Sequence, residues 1–263
     1  MTMTLGTDTG FYRGLTLEET LARLAALGWR DVQVSAGHLA SAENVREVCE
    51  RLGVSVRQVH CDEELGPEPS HVDAQLAWLR RAADLGARCL ITHASGNADY
   101  HTEEQRRRCL AINRGCLETI APRARELGVR VAVENRLERP WATCKRFGAR
   151  MADLLQLTDV PGCDHLGVCL DTSHTRVSRL SFSDEIAQCG ARLFATQVSD
   201  SDGETQHRMP FTLDVDWHEV VSALKRIDYD GLLCLDVGAD RDKSLDDLDT
   251  SLAACRDRFA TLL

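Results

Sequence analysis

The sequence predicts an α/β protein folded as a single closed (β/α)8 barrel over residues 1–263. Three observations carry this. Eight short apolar, β-rich runs alternate with longer amphipathic ones. The phrase "helix, glycine, short apolar strand" recurs at LGVSV, LGARCLI and LGVRVAV. The 263 residues match one barrel of about 250 residues, with no linker or second unit required. Strands that are apolar throughout and separated by helices belong to a parallel sheet covered on its outer face.

In chain order, strands are expected at Met3–Gly6, Asp31–Ser35, Val54–Cys61, Arg88–His93, Arg130–Glu134, Gly167–Asp171, Leu193–Val198 and Leu232–Val237. The helical patterns between them are TLEETLARLAALG, AENVREVCERLG, HVDAQLAWLRRAADLG, EEQRRRCLAINRGCLETIAPRARELG, ARMADLLQLT, FSDEIAQCG, DWHEVVSALKRI and DDLDTSLAACRDRFATLL. In the first, Leu17, Leu21, Leu24 and Leu27 recur at helical spacing and Gly28 stops the helix. The sixth helix is short.

Composition narrows the function. A formal net charge of -10 argues against a nucleic-acid partner, which calls for a clustered basic face. It suits a protein acting on small molecules. None of the eleven cysteines is spaced as CxxC, and Cys89, Cys169 and Cys234 sit in apolar runs, as free thiols do. A reducing, cytoplasmic setting is expected. MTMTLGTDTG lacks the basic and apolar regions of a signal peptide. No run approaches the roughly 18 apolar residues of a membrane span, so no membrane partner is expected.

Chemistry in such barrels is built at the carboxyl ends of the strands. Here strand three ends near His60, four at His93, five at Glu134 (VENR), six at Asp171 with His174 (LDTSH), seven at Gln197 and eight at Asp236. Alone, any of these is a helix cap or a solvated loop start. Together, carboxylates on strands five, six and eight would repel unless a cation sat between them. Oxygen ligands with imidazoles suit Mn²⁺, Co²⁺, Mg²⁺ or Zn²⁺. Asp171 is therefore a candidate metal ligand, and His174 a substrate or second-metal contact.

VENR, LDTSH, the DSDGxxxxHxxP stretch containing His207 and the acidic end of strand eight resemble the xylose isomerase-like TIM-barrel superfamily of sugar isomerases and epimerases, which also includes endonuclease IV-type phosphodiesterases. The resemblance runs through nearly the whole chain in element order. It implies a divalent metal held by Glu134, Asp171, Gln197 and Asp236. Two of these depart from the family's Glu, Asp, His and Glu: Gln197 replaces a histidine, and Asp236 is one methylene short. Phe211 stands where the family commonly has glycine after Pro210, so the loop after strand seven is expected to differ in shape.

The implied reaction moves a proton α to a carbonyl of a sugar-like keto compound through an enediolate, with the metal as Lewis acid and Glu134 and Asp236 as the acid/base pair. His174 and His207 would bind the substrate, with Trp141 or Phe11 covering it; both aromatics could equally be packing on the rim. His60 and His93 are expected either as hydrogen-bonded core residues or, with Glu134, as a second metal site like that of the phosphodiesterases. Thr205 leaves the third-metal pattern of those relatives incomplete. A metal-dependent phosphodiesterase and a non-catalytic barrel with a degraded site are the alternatives. A Schiff-base lysine is opposed by Lys145, Lys225 and Lys243, none of which ends a strand. A lyase on the same scaffold, the substrate's phosphorylation and a homo-oligomer all stay open.

Overall fold

The computed structural model describes residues 3–39, 45–95, 99–238 and 242–263. The first three residues of the predicted AENVREVCERLG helix, 42–44, lie outside the described residues. Eight parallel strands close a ring: β1 (Thr4–Asp8), β2 (Asp31–Ser35), β3 (Ser55–Glu64), β4 (Cys89–His93), β5 (Arg130–Glu134), β6 (Leu166–Asp171), β7 (Leu193–Val198) and β8 (Leu232–Leu235). Each strand pairs with its sequence neighbours, and β1 closes the ring on β8 from Thr4↔Leu232 to Thr7↔Leu235.

The predicted strands are all present, with three differences at their ends. β1 runs two residues further, to Asp8, and β3 three further, to Glu64. β8 stops at Leu235, which leaves Asp236 in the loop. A two-residue strand, Asp99–Tyr100, also pairs antiparallel with Lys145–Arg146 and ties the loop after β4 to the loop after β5. Pairs this short carry no hydrophobic periodicity that a sequence could show.

The outer helices are α1 (Leu17–Ala26), α2 (Val45–Leu52), α3 (Pro69–Asp84), α4 (Glu103–Leu127), α5 (Met151–Thr158), α6 (Phe182–Cys189), α7 (Trp217–Arg226) and α8 (Leu245–Ala260). Their starts follow local chemistry. Thr16 and Glu19 form a capping box on α1, as do Thr102 and Gln105 on α4 and Ser244 and Asp247 on α8. α1 buries Leu17, Leu21 and Leu24 in the main core, and Gly28 follows in the left-handed region at φ 86°. Two short helices, Ala36–Leu39 and Thr172–Val177, follow β2 and β6 directly.

The main core lies between sheet and helices. A second, smaller one plugs the barrel with Cys89, Ile91, Ala132, Cys169, Phe194 and Ala195. Gly167 is required there, because a Cβ would meet the Arg192 carbonyl and the Phe194 ring at 2.5 Å. The plug closes the bottom of the barrel, so the polar ends of the strands can open only toward the top. The eleven cysteines are free thiols, and burial pushes Cys61, Cys89, Cys189 and Cys255 up to about 12, which leaves them protonated and unreactive.

Candidate metal centre

Glu134 closes β5 with its carboxylate inside the ring and only 1% exposed. Three imidazoles surround it: His93 Nε2 at 3.4 Å, His60 Nε2 at 3.5 Å and His174 Nδ1 at 3.6 Å. These separations lie just beyond a good hydrogen bond. His93 comes from the end of β4. His60 sits inside β3, which runs on past it to Glu64 through a register shift.

Asp171, fully buried at the end of β6, caps the short helix Thr172–Val177. Its Oδ1 accepts from the Ser173 hydroxyl at 2.8 Å and from the His174 amide at 2.7 Å. That helix turns His174 back toward Glu134. Asn135 locks the corner: its Oδ1 accepts from the Asp171 amide at 2.6 Å, and its backbone carbonyl lies 2.8 Å from His174 Nδ1. A proton on Nδ1 donating to that carbonyl leaves the His174 Nε2 lone pair available to a ligand.

His207 reaches the same place from the loop after β7, with its backbone held left-handed at φ 53°. Its Nδ1 lies 3.2 Å from Asp236 Oδ2 and 3.9 Å from Asp171 Oδ2. Four residues on, Phe211 also adopts a left-handed backbone, at φ 68°. The loop thus keeps the conformation glycine would favour and carries a phenylalanine in it. Packing against Phe259 and Trp217, with the Arg258 guanidinium 4.0 Å above the ring, offsets that strain.

Gln197 is fully buried in β7, and its amide belongs to a polar chain beneath the centre. Gln197 Nε2 donates to Gln33 Oε1 at 2.9 Å, as Gln58 Nε2 does at 2.8 Å, while Gln33 Nε2 donates to Asp8 Oδ2 at 2.6 Å. With Gln33 Nε2 given to Asp8, Gln33 Oε1 is left to accept from both other amides. Asp8, Gln33 and Gln58 escape a reading of the sequence. β1 looks finished at Gly6, and a lone Gln inside DVQVS or VRQVH looks like a half-exposed strand position.

The charges do not balance at their ordinary values. Burial alone would raise Glu134, but His93, His60 and His174 hold it well below the usual carboxylate range. Burial raises Asp171, and His174 and His207 only partly oppose it. Burial would lower His207, yet its hydrogen bond to Asp236 and the charges of Asp171, Asp236 and Glu134 hold it up at about 10. Asp236 is lowered, burial being outweighed by that same imidazole.

Buried acceptors without a partner test whether a cation belongs here. Glu134 Oε2, Asp171 Oδ2 and Gln197 Oε1 are all buried with no hydrogen-bond partner, and so is His60 Nε2. His60, His93 and Glu134 bring one ligand atom each within 4.8 Å of one another, and Asp171, His174 and His207 do the same. Carboxylate and imidazole donors this close fit a divalent ion.

Trp141 is 58% exposed in the loop after β5, with Arg139 5.5 Å above its ring, and Phe11 is packed in the core against Tyr12. A cavity of about 260 Å³ opens beside the centre, lined by His93, Arg136, Leu137, Arg146 and His174. Another of about 210 Å³ lies between Phe11, Arg208, Val237, Lys243 and Leu248, and holds none of the centre's imidazoles or carboxylates.

Residues 15–258 match the family described as xylose isomerase-like TIM barrels. No curated protein matches the chain. Among solved structures, a D-psicose 3-epimerase superposes with a TM-score of 0.78 at 17% identity, over 99% of each chain. A 3-keto-D-glucoside 4-epimerase from E. coli gives 0.80 at 14% identity, over 97% of this chain and 100% of that one. A D-allulose 3-epimerase from Methylomonas sp. gives 0.77 at 16% identity, over 100% and 98%. At these identities the likeness is one of fold.

Proposed function

The chain belongs to the xylose isomerase-like TIM barrel family, and from that premise we propose that it is a metal-dependent isomerase or epimerase of a small sugar-like keto compound. One observation carries the reading. A fully buried glutamate is ringed by three imidazoles, with Asp171, His207 and Asp236 alongside and three buried carboxylate or carboxamide oxygens unpartnered. That solved structures on the same fold are sugar epimerases supports the choice of reaction.

Glu134 and Asp171 would hold the cation, with Gln197 Oε1 and Asp236 completing the set across β5 to β8. When bound, the ion supplies Lewis-acid stabilisation of negative charge on a substrate oxygen. The rest of the work falls to side chains. Glu134, held ionised, is the base for the proton next to the carbonyl. Asp236 stands three strands round the ring and has its own proton source in His207, 3.2 Å away and held protonated up to about 10. It returns a proton to the carbon. His174 Nε2, its ring fixed by Asn135, orients a substrate hydroxyl.

Two measurements test this. Elemental analysis should find about one divalent ion per chain in the wild type, lost in Glu134→Gln and Asp171→Asn. Ketoses incubated with the protein in D2O should gain deuterium next to the carbonyl, seen by NMR, and Glu134→Gln should abolish it. No metal after incubation with Mn²⁺, Co²⁺ or Zn²⁺ would overturn the reading. A second reading, a phosphodiesterase with two or more ions, is favoured by one feature: the potential ligands fall into two groups, with His60 and His93 in the first. Two ions per chain and hydrolysis of a phosphate diester would establish it.

A further inference from the structure

The charge of the rim is uneven. In a chain of net charge -10, residues 135–150 after β5 carry Arg136, Arg139, Lys145, Arg146 and Arg150 against the single carboxylate of Glu138. Two of these arginines line the 260 Å³ cavity together with His93 and His174 of the candidate metal centre. That volume lies below the roughly 300–1,000 Å³ of drug-sized sites and suits a small polar ligand.

Both arginines are held in place. Arg136 Nε donates to the Ala94 carbonyl at 2.9 Å and its Nη2 pairs with Glu64, while Nη1 makes no hydrogen bond among the described residues. Arg146 pairs with Asp99 across the small antiparallel sheet, and its amide donates to Glu138 Oε2 at 2.8 Å. The Glu138 amide in turn donates to the Ser178 hydroxyl at 2.8 Å, just past the short helix that carries His174. A guanidinium has five N–H donors in a planar fork, so the Glu64 carboxylate and the Ala94 carbonyl fix the plane of Arg136 without using them all. Arginines fixed beforehand lose little entropy when they clamp a ligand. A neutral sugar gives no reason to place two guanidinium groups in its cavity, and a carboxylate or phosphate does.

We propose that the substrate is anionic: a sugar acid or sugar phosphate whose charged group is held by Arg136 and Arg146 while its keto end faces the metal centre. This rests on the isomerase reading for the neutral end of the molecule, but the anion clamp stands or falls separately.

Calorimetry on the purified protein tests it with three probes: D-fructose, D-fructose 6-phosphate and D-gluconate. At least one anion should bind about tenfold or more tighter than fructose, as charge-assisted hydrogen bonds do. The anion that wins tells phosphate from carboxylate. Arg146→Ala should erase the preference with metal content unchanged, Arg146→Lys should restore part of it, and Arg136→Ala should weaken it independently. Equal binding of the three probes, no binding of either anion, or a preference that survives both alanine variants would overturn the clamp. So would an oligonucleotide that binds more tightly than either sugar anion. A protein without metal that still prefers the anion would sink the isomerase reading and leave the clamp standing.

Discussion

The loops after β5 and β7 share one rim and carry opposite charge. The β7 loop, residues 199–216, has Asp200, Asp202, Glu204, Asp214 and Asp216 against Arg208. Its acids mostly serve its own backbone. Asp200 is buried and accepts from the amides of Ser201, Thr212, Leu213 and Val215 at 2.9–3.0 Å. Asp202 accepts from Glu204 and Thr205, which holds it down at about 2, and Asp216 caps α7. The cations of the β5 loop cap nothing. Arg136 and Arg146 line a cavity and pair with Glu64 and Asp99, Arg139 stacks on Trp141, and Arg150 pairs with Glu138. A loop folded by its carboxylates delivers one histidine to the centre, while a loop folded by a small sheet delivers two arginines to the cavity beside it.

Breaking the carboxylate side should produce the largest effect. Asp200→Ala strands four backbone donors in a buried place, at about 1–3 kcal/mol each before relaxation. A loss of about 3 kcal/mol or more is expected in urea unfolding, and a loss below about 1 kcal/mol would show that the loop is not built on Asp200. A smaller effect comes from Asp8, a carboxylate with amide partners and no cation. Burial and Asp236 raise it from 3.8 to about 7, against hydrogen bonds from Gln33 and Gly10 that lower it. The folded state therefore favours its protonated form. Its contribution is complete below pH 3.8 and is lost as pH rises through about 7. In metal-free protein the melting temperature of Asp8→Asn should fall less than wild type between pH 5 and pH 8; parallel curves would refute the assignment. The smallest change is expected on the cationic side: Trp141→Ala, at an exposed ring, should shift stability by no more than about 0.5 kcal/mol in the same urea titration. A larger loss would make Trp141 part of the folded rim.

The barrel was largely legible because its apolar strands and helix-ending glycines repeat. Glu134 and Asp171 were legible because each breaks an apolar run at its last residue. The polar chain of Asp8, Gln33 and Gln58 was not, since a glutamine inside a β-barrel needs a partner on another strand before it makes sense. Gln33 finds three, one of them 164 positions away. Arg136 and Arg146 were equally hidden. In the sequence they are two of many arginines, and only the pairing of Asp99–Tyr100 with Lys145–Arg146 brings the second one to the cavity.

The closing pair of the ring has a consequence for how the protein is made. Thr4 meets Leu232, so β1 is made before the other seven barrel strands and waits for a partner made after all of them. Until then β1 and β7 present open backbone edges, the kind of surface that recruits other chains. The pocket floor is in the same position, since Asp8 sits on the first strand and Gln197 on the seventh. The nascent chain has most of its hydrophobic core well before it has a site, and premature termination anywhere before β8 would yield an open, adhesive sheet rather than a weak enzyme.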